Sequence, residues 1–187
     1  YLWTVNIGMA LENIRKWQWI NRMNEKINRM WKYDMLTQVL NRSGFFYCAE
    51  TILQKIKEEK SNAFIIFLDI DGLKSVNDNL GHEIGDAFIA KIAGILKEVV
   101  PKDCLIMRYG GDEFVVFGSC KQAGRMQRIA EDIKAAIKTA DQKENRSYHL
   151  AASLGCSLHK SYEMDNLNSL IELADKKMYE EKKNKRR

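Results

Sequence analysis

The chain has 187 residues, of which 45% are apolar and 29% charged, proportions that exclude a disordered polymer and allow one well-cored domain with an appendage. Its net charge of +5 does not mark a binder of polymeric nucleic acid. Residues 175–187 alone carry seven Lys/Arg against three Asp/Glu, so most of the excess is a basic tail, and no stripe of basic and aromatic residues occurs elsewhere.

The four cysteines (Cys48, Cys104, Cys120, Cys156) are scattered without a C-x-x-C pair or a histidine at metal-ligand spacing. Three lie inside apolar runs, as reduced, buried thiols do in a cytoplasmic setting. Neither a signal peptide nor a membrane-length apolar run is present. The opening "YLWTVNIG" has no initiator Met. The expectation is a cytoplasmic domain cut from a longer protein, with an upstream sensor domain and a possible membrane attachment of the full-length chain.

From the N-terminus, residues from about 11 to 33 read as a helix, with Ile20, Met23, Ile27 and Met30 at alternating steps of three and four. That spacing fits a short coiled-coil seam and equally a face packed on its own domain. After "YDMLTQVLNRSGF" a second helix runs to about Lys60, with Phe46, Ala49, Ile52, Leu53 and Ile56 on one face. "AFIIFLDI" (63–70) is a continuous apolar run, as in a strand buried on both faces. A polar loop, "DGLKSVNDNLGHEIG", follows it.

A third helix carries Ile84, Phe88, Ile92, Ile95, Leu96 and Val99 and ends at Pro101. "CLIMRY" and "EFVVFG" read as two strands of a hairpin, with Gly110 and Gly111 in a two-residue turn that needs positive φ at both. A helix with Met126, Ile129, Ile133 and Ile137 comes next, then the alternating strand "HLAASLGCSL", with Leu150, Ala152, Leu154, Cys156 and Leu158 on one face. A last helix holds Leu167, Leu170, Ile171, Ala174 and Met178. The order α, β, α, β-hairpin, α, β, α predicts an α+β domain with a ferredoxin-like (split βαβ) antiparallel sheet and surrounding helices, behind an N-terminal helix. The expected boundaries are 1–33 for that helix and 34–187 for the domain.

Two clusters carry chemistry. Asp112 and Glu113 stand side by side at a strand start, where their repulsion disfavours pairing and a bound cation would relieve it. Asp69 ends an otherwise apolar strand, where a charge is costly unless paired or coordinated. If that strand end lies beside the hairpin, Asp69, Asp112 and a backbone carbonyl such as that of Ile70, with or without Glu113, make an all-oxygen site suited to Mg2+ or Mn2+ rather than Zn2+. Asp71 reads as a cap of the next turn.

Lys74 could reach phosphates as a point charge. Asn77 and Asp86 flank "GHEIG"; Asp86 is either an ordinary acid of a first helical turn or an acceptor for the paired N1–H and 2-amino groups of guanine, which adenine lacks.

Together these residues resemble the GGDEF family, the diguanylate cyclases. "GGDEF" stands at 110–114, D-x-L-T-x-x-L-N-R as Asp34, Leu36, Thr37, Leu40, Asn41 and Arg42, and D-I-D-x-x-K-x-x-N-D as Asp69–Asp78, followed by "GHEIGD". The closing "ADKKMYEEKKNKR" is similar to the family's A-D-x-A-L-Y-x-A-K-x-x-x-R. The likeness covers about Asp34 to Arg187 and implies a nucleotide-cyclase-like fold. It implies that two GTP molecules, each held by one domain of a homodimer, condense to cyclic di-GMP and pyrophosphate. It gives Asp69, the Ile70 carbonyl and Asp112 as ligands of Mg2+ (or Mn2+), with Asp112 and Glu113 at the reacting centre. Lys74, Lys182 and Arg186 would then meet the triphosphate, Asn77 and Asp86 the guanine, and His82, Gly110 and Gly111 would line the site. The window before the signature reads Pro101, Lys102, Asp103, Cys104 in place of R-x-x-D, and Leu73 replaces an aromatic. Noncompetitive inhibition by product is therefore not expected. The alternatives are a catalytically degenerate domain that senses GTP or cyclic di-GMP, and an enzyme that makes another cyclic dinucleotide.

Overall fold

The computed structural model describes residues 2–143, 148–160 and 166–185. Their order is α1 (Leu2–Lys32), α2 (Arg42–Glu58), β1 (Asn62–Ile70), α3 (Leu73–Leu80), α4 (His82–Val99), β2 (Leu105–Arg108), β3 (Glu113–Cys120), α5 (Arg125–Lys143), β4 (Ala152–Lys160) and α6 (Leu167–Lys185). The four strands form one antiparallel sheet in the order β2-β3-β1-β4, the order of a split βαβ unit.

β1 is interior to this sheet and buried on both faces, which explains its unbroken apolar run. Phe64, Ile66, Leu68 and Ile70 join the core built with α4 and α5, including Phe88, Ile92 and Ile133. Ala63, Ile65 and Phe67 join a second core with α2 and α6, including Phe45, Ile56, Ile171 and Met178. Gly155 of β4 sets how closely α6 lies on the sheet. A Cβ there would stand 2.0 Å from the Ala174 carbonyl oxygen and 2.2 Å from the Met178 nitrogen.

The end of α1 is fastened to the domain through Asn41. Its Nδ2 donates to the carbonyls of Met30, Trp31 and Tyr33 at 2.9–3.3 Å, while its Oδ1 accepts from the Gly44 amide at 2.9 Å and caps α2. Leu40 then bonds the outer edge of β2, its amide donating to Ile106 and its carbonyl accepting from Arg108. The apolar stripe of α1 stays uncovered: Ile20, Met23, Ile27 and Met30 are 39–56% exposed, so it does not pack on its own domain.

Several expectations need correction. α1 begins at Leu2, well before the expected start. The polar loop after β1 is mostly helical, because Leu73 and Val76 bury one face of α3. Gly81, at φ 89°, then breaks α3 from α4 in a conformation that favours glycine. Neither Gly110 nor Gly111 has positive φ, and the hairpin has no two-residue turn. Instead the Tyr109 amide donates to the Glu113 carbonyl at 2.8 Å, which leaves a three-residue loop of Gly110, Gly111 and Asp112. A Cβ at 110 would lie 2.5 Å from a Glu113 carboxylate oxygen, the end of a side chain that can swing aside. Ile84 and Leu158 are exposed rather than core residues, and Cys48 and Cys156 are only partly buried, whereas Cys104 and Cys120 are buried.

Candidate active site

The sheet register joins the two clusters. Asp69 pairs across β1–β3 with Glu113, and the Ile70 amide donates to the Asp112 carbonyl at 3.0 Å. Asp69, Ile70, Asp112 and Glu113 therefore sit at one end of the sheet. Asp69 is buried, and Asp112 and Glu113 are half-buried.

From α6, the Lys182 ammonium donates to Asp69 Oδ1 in an ion pair. Lys185 reaches Asp71 Oδ2 at 3.0 Å, the Ala152 carbonyl at 2.7 Å and Ser153 Oγ at 3.2 Å. Asp71 thus does not cap the following turn; its other oxygen accepts from Ser153 Oγ at 2.8 Å. The N-cap of α3 is Gly72, which has no side chain to bond.

The electrostatics reflect this crowding of acids. Burial pushes the Asp69 carboxyl up; Lys182 pulls it back, while Asp112 and Asp71 add to the rise, and the net shift is upward. Burial likewise raises Glu113, reinforced by Asp112, Asp69 and Asp175 and opposed by Lys182. Asp175 is raised by burial as well. An end of the sheet with this excess of partly desolvated carboxylate favours a cation.

Two carboxylates and a main-chain carbonyl suit a hard divalent ion whose other positions are filled by phosphate and water. The ammonium of Lys182 on Asp69 marks the same preference for positive charge. Among the described residues, no three His, Cys, Asp or Glu side chains are grouped so as to hold a metal by themselves. The fit thus depends on the Ile70 carbonyl and on oxygens from a ligand.

The remaining expected residues form a second group at the break between α3 and α4. Asn77 is half-buried, its Oδ1 lying 1.8 Å from where a Cβ on Gly85 would stand, so the glycine makes room for it over the first turn of α4. Asp86 follows Gly85 directly and is exposed, as is His82 at the start of α4. Lys74 is exposed on the first turn of α3. Arg186 lies outside the described residues.

Two residues with no role assigned from sequence hold the hairpin in shape. Arg108, the last residue of β2, donates from Nε to the Gly110 and Gly111 carbonyls at 3.2 Å each, and from Nη2 to Gly111 at 2.8 Å. Its Nη1 meets both oxygens of Asp34. An arginine closing an otherwise apolar strand was the available signal; its partner was not visible. In the window ahead of the hairpin, Asp103 is paired with Arg125 at 2.7 Å.

The chain belongs to the GGDEF family: the family model described as "Diguanylate cyclase, GGDEF domain" matches residues 31–187. It is similar to Diguanylate cyclase A of Treponema denticola, 29% identical over 94% of this chain and 48% of that protein. Diguanylate cyclase VdcA of Vibrio cholerae is 32% identical over 87% of this chain and 48% of its own length. An uncharacterized membrane protein of Staphylococcus epidermidis is 31% identical over 78% of this chain and 39% of its own. The chain thus spans about half the length or less of these curated relatives.

Among solved structures, the coiled coil and GGDEF domain of DgcB from Caulobacter crescentus, in complex with c-di-GMP, shares the fold. Its TM-score is 0.82 at 23% identity, covering 95% of this chain and 94% of that one. The DgcB GGDEF domain alone gives a TM-score of 0.73 at 25% identity over 82% of this chain and 91% of its own. Among the described residues, no helix is long and apolar enough to cross a membrane.

Proposed function

We propose that the chain is an active diguanylate cyclase, acting as a homodimer in which residues 34–187 are the catalytic domain and residues 1–33 the coupling helix. The observation that carries the reading is the pairing of Asp69 with Glu113, which joins both acidic clusters at one sheet end. The 3′-hydroxyl oxygen of one GTP attacks the α-phosphorus of the GTP held by the facing domain. A P–O bond forms, the bridge from the α- to the β-phosphate breaks, and pyrophosphate leaves. The reciprocal attack closes cyclic di-GMP, so two GTP give one product and two pyrophosphates.

Asp69, the Ile70 carbonyl and Asp112 would hold Mg2+ or Mn2+, which supplies charge neutralisation at the α-phosphate and activation of the attacking oxygen. Asp112 and Glu113 take the hydroxyl proton, a role that the raised carboxyl of Glu113 supports. Lys182, Lys74 and Arg186 meet triphosphate charge. Asn77 and Asp86 read guanine, because an aspartate facing N1–H and the 2-amino group is left unpaired by adenine. Gly110 and Gly111 let the phosphates approach the backbone, and His82 lines the site.

Dimer formation is supported by the uncovered stripe on α1 and by the fold shared with DgcB, described as a coiled coil plus GGDEF domain. The domain works in the cytoplasm, where GTP is found, under an upstream sensor that attaches the whole protein to a membrane or leaves it free. Pyrophosphate release tests the reaction: one pyrophosphate per GTP consumed, with Mg2+ and not without it, and none from ATP, is the expected result. Binding of GTP or cyclic di-GMP without pyrophosphate release would make the domain a sensor instead.

A further inference from the structure

Lys182 does more at this site than wait for a phosphate. Its ammonium sits on Asp69 Oδ1, and the two side chains are only 18% and 11% exposed. Lys185, three residues on, is tied to Asp71, to a carbonyl and to a hydroxyl, whereas the hydrogen bonds of Lys182 among the described residues go to Asp69 alone. One lysine is anchored; the other holds a single acid through a flexible four-carbon stem.

We propose that Lys182 is a placeholder cation that makes divalent-metal binding depend on the triphosphate. The inference rests on the reading of Asp69 as a metal ligand. A dication arriving alone must displace the ammonium from Asp69 and set it beside a double positive charge, in a site already partly desolvated. When a triphosphate arrives as well, its oxygens accept the released ammonium in charge-assisted hydrogen bonds. Metal and nucleotide then each bind more tightly in the presence of the other, by the same factor. Asp69 is thereby kept paired between turnovers and does not collect free metal.

The test is a titration of the intact chain with Mn2+, followed by electron paramagnetic resonance. It is run with and without a GTP analogue carrying methylene between the α- and β-phosphorus. Wild type should bind Mn2+ weakly alone and about tenfold or more tightly with the analogue. Lys182→Met should bind Mn2+ alone more tightly than wild type and gain less from the analogue. Lys182→Arg keeps the charge and adds a forked grip on the carboxylate. It should bind Mn2+ alone no better than wild type, and this arm stands even if the Met variant does not fold.

Unchanged Mn2+ affinity in Lys182→Met without nucleotide, or tighter binding in Lys182→Arg, would overturn the placeholder role. Asp69→Asn separates the two levels. If it abolishes analogue-dependent Mn2+ binding, the metal assignment stands whatever Lys182 does; if binding persists, Asp69 is not a ligand and both ideas fail.

Discussion

Asp34 and Arg108 lie 74 positions apart in the chain and meet through both oxygens of the carboxylate, at 3.1 and 3.2 Å. The same guanidinium holds the carbonyls of Gly110 and Gly111, the two residues immediately before Asp112. Asp34 in turn accepts from the Thr37 hydroxyl at 2.6 Å and from its amide at 2.9 Å. It follows directly on the segment where α1 ends and is capped by Asn41. A short polar chain therefore runs from the N-terminal helix to the loop that carries the proposed catalytic acid.

This chain predicts a graded effect at Arg108. Arg108→Ala frees both loop carbonyls and should lower turnover by about ten- to a hundredfold, the scale of a small misplacement at a reacting centre. Arg108→Lys, a point donor without the fork, should fall between the alanine variant and wild type. Steady-state kinetics of the three proteins check the order.

Asp34 also predicts a pH dependence. Burial alone would raise its carboxyl, but the Thr37 hydrogen bonds and the Arg108 charge outweigh that and hold it below the ordinary value. Because the folded group is the more acidic, its contribution is complete above the unfolded pKa, about 3.9, and is lost as pH falls through the lower folded value. Asp34→Asn should be less stable at neutral pH, by about 1–3 kcal/mol for a lost charged hydrogen-bond partner. The difference from wild type should shrink in that acid window. Urea unfolding of both proteins across pH measures it, and a gap that stays constant into acid would contradict the assignment.

Gly155→Ala tests how α6 delivers its lysines. The added methyl would collide with backbone atoms of Ala174 and Met178, which cannot swing aside as a side chain can. The variant should lose at least about 1–3 kcal/mol by overpacking. Triphosphate binding should weaken too, since Lys182 moves with the helix. Wild-type stability by thermal unfolding would mean that α6 has slack on the sheet.

The fold was largely readable from the sequence because its strands declare themselves. β1 is an unbroken apolar run that ends in a charge, and the registers of α5 and α6 follow from apolar residues at helical steps. α3 was hidden because eight residues rich in Asn, Asp and Ser look like a loop until Leu73 and Val76 find a core to enter. Gly110 and Gly111 suggest a two-residue turn, whereas neither has positive φ and the loop spans three residues, a difference no local pattern encodes. The pairs Asp34–Arg108 and Asp69–Lys182 join residues 74 and 113 positions apart, beyond any periodicity. The two acidic clusters were legible as charges in costly places, but their meeting needed the register of the sheet.

Guanine selectivity is predicted to depend on Asp86. Asp86→Ser removes the proposed acceptor for N1–H and the 2-amino group and should bring GTP and ATP affinities closer together. Competition binding of the two nucleotides to both proteins reads the ratio. An unchanged ratio would leave Asp86 as an exposed acid one turn into α4 and nothing more.

The uncovered stripe on α1 predicts a rate that depends on association. Short seams are marginal in water, so specific activity should rise with protein concentration. Ile27→Lys, which sets a charge in the seam, should flatten and lower that curve. Equal, flat curves for both proteins would show that α1 plays no part in bringing two domains together.

Asp112, beside Asp69 at the end of the sheet, is proposed to serve a reaction joining two GTP. The most direct measurement is the mass of the product formed from GTP and Mg2+ by wild type and by Asp112→Asn. Wild type should yield cyclic di-GMP, and the variant should be slower by about two decades or more, the cost of removing one charge from a metal-assisted centre. Cyclic di-GMP formed at the wild-type rate by Asp112→Asn would remove Asp112 from the reaction, and no cyclic di-GMP from wild type at any protein concentration would remove the reaction itself.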